Sequence, residues 1–113
     1  MKTITLFSEV GSFAEDKDAA AVLRKTIILP TLAAGGKVSI DFEGVTLTTQ
    51  SFVHALISEA LRQEGEAGLR KLHFKNCLPA IKGIIETVVQ YVLETVEEDE
   101  PDTKATKKTK KGK

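Results

Sequence analysis

The strongest hydrophobic repeat in the chain runs from residue 81 to residue 96. Ile81, Ile84, Ile85, Val88, Val89, Val92, Leu93 and Val96 recur at steps of three and four, the spacing of one buried helix face. So many β-branched residues are poor helix formers by propensity. Burial must therefore supply the stability of this helix. Asn76 stands where a cap is expected, and Pro79 falls in the first turn, where proline is tolerated.

A second organised stretch spans Val38–Leu61, VSIDFEGVTLTTQSFVHALISEAL. Val38, Ile40 and Phe42 alternate with Ser39 and Asp41, the period of a strand with one apolar face. Gly44 marks a turn. The period then changes, because Val53, Leu56, Ile57, Ala60 and Leu61 repeat at helical spacing. The spacing predicts a helix over 51–63, with Ser51, Ser58 and Arg62 opposite its apolar stripe. Phe52 falls at the edge of that stripe. Thr48, Thr49, Gln50 and Ser51 precede or open this helix. Their hydroxyl and amide groups suit the unpaired N–H groups of a first turn.

The remaining segments complete an alternation. Thr3–Phe7 reads as a strand with Ile4 and Leu6 on one face. Glu15, Asp16 and Asp18 precede a helix whose buried face is expected to hold Ala19, Val22, Leu23 and Ile27. Pro30 should kink or end it, and Ala34-Gly35-Gly36 is a stop and turn. Residues 64–68 read as a loop, and Leu69–Phe74 as a strand with Leu72 and Phe74 inward. The order is βαβαβα, which predicts an α/β fold with a parallel or mixed sheet and right-handed crossovers. Alternation within the strands predicts helices mainly on one sheet face.

Asp41-Phe42-Glu43-Gly44-Val45, followed by Thr49-Gln50-Ser51-Phe52-Val53-His54-Ala55-Leu56-Ile57, carries a family resemblance. It resembles the STAS-like domains related to bacterial anti-sigma-factor antagonists. The nearest likeness is to a bacterial branch with an Asp-Phe-x-Gly-Val strand end and a Ser-Phe helix start. The similarity extends from about Gly11 to Val96. In the better-understood antagonists the same strand leads to an Asp-Ser-Ser-Gly loop, whose second serine is phosphorylated by a partner kinase. Laid on this chain without a gap, that serine falls on Ser51, the aspartate on Thr49 and the glycine on Phe52. The resemblance implies a single STAS-like domain, regulation by partner switching and a protein partner such as a histidine-kinase-like ATPase acting as a serine kinase.

Charge divides the chain where the hydrophobic pattern ends. The sum over 113 residues is zero. Residues 101–113 hold six lysines and one aspartate, a net +5. The first hundred hold ten basic and fifteen acidic residues, a net −5. An acidic domain over residues 1–97 is thus expected to precede a disordered, acidic-then-basic tail over 98–113. The domain lacks the basic excess of a nucleic-acid binder, and the tail has no aromatic residue for base stacking. A single cysteine, Cys77, excludes an internal disulfide. With no apolar run long enough to span a bilayer and no secretory start, a cytoplasmic protein is expected.

The chemistry-bearing residues do not assemble an enzyme motif. Ser51 and His54 are three apart and can meet on a helix surface. A nucleophile and base also need an orienting acid and an oxyanion site, and no GxSxG turn is present. Asp41 is the nearby carboxylate, and it suits local backbone N–H groups. His54, His73 and Cys77 do not make a metal motif, and no cofactor is indicated. The expected function is a non-enzymatic interaction module. Its partner or phospho-switch surface would be formed by Asp41, Thr48, Thr49, Gln50, Ser51, His54 and Ser58. The alternatives are a small-ligand or nucleotide sensor using the helix N-terminus as an anion site, and an accessory protein of a bacterial defence or toxin system. A lysine tail contacting nucleic acid is a further reading.

Overall fold

Alternation of apolar and polar residues decides the sheet. The computed structural model describes the backbone of residues 1–99 and the side chains of residues 1–95. The expected tail from residue 100 onward therefore lies outside the described residues, as do the side chains of residues 96–99. In chain order the elements are β1 (Lys2–Thr5), α1 (Leu6–Val10), β2 (Phe13–Ala14), α2 (Lys17–Leu23), a π turn (Arg24–Ile28), α3 (Leu29–Ala33), β3 (Val38–Asp41), β4 (Leu47–Thr48), α4 (Gln50–Glu64), α5 (Glu66–Lys71), β5 (Leu72–Lys75) and α6 (Pro79–Asp99).

Strands β1, β3 and β5 form a parallel sheet in that order. Ile4 pairs with Ile40 and Ile40 with Phe74; Thr3 pairs with Ser39 and Ser39 with His73. One face carries Ile4, Val38, Ile40 and Leu72, all buried, with Phe74 half-buried. The other carries Thr3, Thr5, His73 and Lys75, all exposed. The expected arrangement, helices mainly on one face, follows from this split. Ser39 is the exception on the polar face: it is fully buried and its Oγ has no hydrogen-bond partner. A small residue on the central strand is shielded by taller neighbours on both sides.

Helix α4 occupies the middle of the helical layer. It packs against α6 on one flank and against α2 and the π turn on the other. Phe52, Val53, Leu56, Ile57, Ala60 and Leu61 are buried, so the stripe expected from spacing is the one the core uses, widened to take in Phe52. Arg24 secures the α2 flank: its Nη1 donates to the Ala55 carbonyl at 2.9 Å. Its Nε lies 3.3 Å from Glu59 Oε1 but outside hydrogen-bond geometry, so that contact is charge proximity alone. The last helix also follows its pattern, with Ile81, Ile85, Val88 and Val92 buried.

Several expected boundaries shift, each for a physical reason. The first strand ends at Thr5, and Leu6 reaches the core from α1 instead. The segment expected as loop and early strand over 64–71 holds α5. Gly68 is not a loop residue there. A Cβ on it would lie 3.0 Å from the Ala60 carbonyl oxygen, so its bare backbone lets α5 fold closely against α4. Strands β2 and β4 pair in parallel over two residues each, too short for any period to announce them.

The helix after Lys17 does not stop at Pro30. The π turn precedes Pro30, with the Leu29 N–H donating to the Arg24 carbonyl, and the rod continues to Ala33. A wider turn holds one extra residue, which shifts the buried face. Before the turn, Ala20 and Leu23 set the buried face of α2 and Val22 is 58% exposed; after it, Ile28 is fully buried and Ile27 only partly covered.

Candidate functional site

The start of α4 is built by adjacent threonines with different tasks. Thr48 ends β4 and is buried; its Oγ1 donates to the Ala14 carbonyl at 2.7 Å and ties β4 to β2. Thr49 is the cap, with extended backbone and an Oγ1 that accepts from the Phe52 N–H at 3.0 Å. Cap replacement costs about 1 kcal/mol in general. Phe52 points into the core and fixes the phase of the first turn. Gln50 and Ser51 are left on the surface.

Ser51 then faces a groove of about 370 Å³ between α4 and α6, lined by Gln50, Ser51, His54, Thr87, Val88 and Tyr91. His54 is half-buried, and its ring lies 6.3 Å from that of Tyr91 at 52°. Burial lowers the His54 pKa below its ordinary 6.5, with the Arg62 charge acting in the same direction. The ring is thus biased toward the neutral form, which can donate and accept. Among the described residues, no carboxylate lines the groove.

Of the residues expected at this surface, Gln50, Ser51 and His54 come together, and Thr49 supports them as the cap. Thr48 and Ser58 do not belong to it, because both are buried. Spacing puts Ser58 opposite the apolar stripe, but α4 is flanked by a helix on each side, so its open strip is narrow. Ser51 and Arg62 remain exposed there. Thr87 and Tyr91, which form the far wall, were not singled out by sequence. The one available signal was that Tyr91 is a large aromatic residue lying off the Ile/Val stripe of α6.

Asp41 sits apart, at the end of β3. Its Oδ1 accepts from the Glu43 N–H and from Asn76 Nδ2, both at 2.9 Å. Asn76 was expected to cap the last helix; its side chain instead joins the ends of β3 and β5, on a backbone with φ of 58°. The Asn76 hydrogen bond, then that from Glu43, and the Lys75 charge hold Asp41 below its ordinary 3.8. A depressed folded pKa means that Asp41 stabilises the fold above the ordinary value and loses that contribution as pH falls through the lower one. An NMR titration should place Asp41 below 3.8, and Asn76→Ala should move it upward. An unmoved value in the variant would show that the clamp does not set it.

A family model described as "STAS-like domain of unknown function (DUF4325)" matches residues 19–82. That span runs from α2 into the first turn of α6 and includes β3, β4 and all of α4. The chain belongs to this family. No curated protein and no solved structure matches it. The parallel sheet and its flanking helices are consistent with a STAS-like fold. Among the described residues of this STAS-like domain, no helix is long and apolar enough to cross a membrane, and no group of three His, Cys, Asp or Glu residues is placed to hold a metal ion.

Proposed function

We propose that this STAS-like domain is a non-enzymatic regulatory module that docks a protein partner at the groove beside Ser51, and that phosphorylation of Ser51 switches docking. The observation carrying this reading is the division of labour at the start of α4. Thr49 holds the cap and Phe52 is locked in the core, so the exposed Ser51 between them is free of a structural duty. A phosphate there adds about −1.5 to −2 charges beside a helix N-terminus. The positive end of α4 tolerates that charge, while a partner seated on the groove meets it directly. The family resemblance supports a kinase of the histidine-kinase-like ATPase type as the partner. The residues of this surface are Gln50, Ser51, His54, Thr87 and Tyr91, with Thr49 positioning them.

The test is phosphosite mapping of the protein from its own cells, together with capture of partners by the native chain and by Ser51→Glu. The expected result is phosphate on Ser51 and a changed partner set for the variant. In the same variant the added negative charge should raise the His54 pKa. An unmodified Ser51 peptide under all growth conditions, with identical partners for both chains, would overturn the switch.

A further inference from the structure

We infer that the α6 groove opposite the Ser51 site is a two-fold interface between copies of this chain. The groove has a volume of about 510 Å³ and lies between α6 and the β5 edge of the sheet. Its lining includes Leu69, Phe74 and Val89, apolar residues packed on the core yet only partly covered. Strand β5 pairs with β3 alone among the described strands, so the sheet ends here. An unpaired edge beside half-covered apolar side chains is a surface that another chain can complete.

Charge selects the occupant. Lys82 and Glu86 form one rim of the groove, four residues apart on α6, and both are exposed. Neither has an ion-pair partner among the described residues. Lysine ahead of glutamate is also the less favourable order for pairing within one helix. A two-fold axis midway between them sets a second α6 antiparallel to the first. Each Lys82 then faces the other copy's Glu86, because in such an interface a contact from one residue to another is matched by its reverse. The rim is therefore complementary to itself. The same operation brings the two apolar floors together and the two β5 edges side by side.

This interface leaves the proposed docking site open. Thr87, Val88 and Tyr91 line the Ser51 groove, whereas Lys82, Glu86 and Val89 lie on the other side of α6. At about 100° per residue the two sets project in nearly opposite directions. A dimer would present two Ser51 grooves facing away from each other.

Sedimentation of the full chain over a dilution series tests the inference. The native chain is expected to dimerise and to dissociate on dilution through roughly the micromolar range. Glu86→Lys and Lys82→Glu each place like charges across the axis and should weaken dimerisation at least about tenfold. The double exchange, with both substitutions, should restore it, since the reversed order is again self-complementary. Both positions are solvent-exposed, so circular dichroism should show unchanged folding. A second reading needs no variant: amide shifts that move on dilution should cluster at Leu69, Phe74 and Val89. A native chain that stays monomeric at all concentrations overturns the inference. So does a dimer indifferent to the single exchanges, a double exchange that remains monomeric, or dilution shifts located elsewhere.

Discussion

Replacing Phe52 by alanine should cost about 3–5 kcal/mol, the usual range for removing a buried aromatic side chain. Phe52 has no exposed surface and is among the largest fully buried side chains in the domain. Its burial is also what turns the first residues of α4 to face the right way. For a domain of this size the loss lowers the melting temperature by roughly 10–20 °C. Phe52→Gly should be worse by about a further 1 kcal/mol, because glycine weakens a helix interior. In the phosphorylated antagonists that the chain resembles, the corresponding position is a flexible glycine; in this chain it is an anchor. Thermal melts of the two variants decide it. A shift of only a few degrees for Phe52→Ala would show that α4 is held without this side chain.

Gly44→Ala should cost about 2–5 kcal/mol, from separate causes that a second substitution divides. Gly44 has φ of 89°, where a non-glycine residue bears roughly 1–2 kcal/mol of backbone strain. A Cβ there would also lie 2.8 Å from Phe7 Cδ1 and 2.9 Å from Phe7 Cγ, an overlap worth about 1–3 kcal/mol until something moves. Phe7 is 49% exposed, so its ring has space to yield. In a Phe7→Ala background the steric part should vanish and the strain should remain. The cycle is read from denaturant midpoints of the four chains. If Gly44→Ala costs the same with and without the ring, the approach of Phe7 contributes nothing.

The sheet and both long helices were legible because their burial is one-sided. Ile4, Val38 and Ile40 alternate because the helices cover a single face, and Ile81 to Val92 repeat because α6 shows one stripe to the core. A cap somewhere in Thr48–Ser51 was legible because local hydrogen bonding needs only neighbours, but spacing did not single out Thr49, which starts the helix one residue earlier than expected. What escaped depends on partners distant in sequence. Ser58 is covered because α4 has helices on both flanks, which no stripe on α4 alone reveals. Thr48 is consumed by Ala14, 34 residues away. Asn76 was drawn to Asp41, 35 residues away, and not to the helix it precedes. The groove beside Ser51 has its far wall in α6, so Tyr91 enters the site through packing alone.

The wide turn at Arg24–Ile28 has a consequence for the history of this segment. Ala20 and Leu23 before it, and Ile28 and Leu32 after it, reach the same core only because one surplus residue is taken up between them. A chain lacking that residue would regain regular winding and swing everything downstream by about 100°, turning Leu32 toward water. Gains and losses of single residues in this rod are thus bound to the hydrophobic lettering beyond Pro30. A relative with a shorter rod is expected to show its apolar letters displaced by one place, with the loop before β3 unchanged in length.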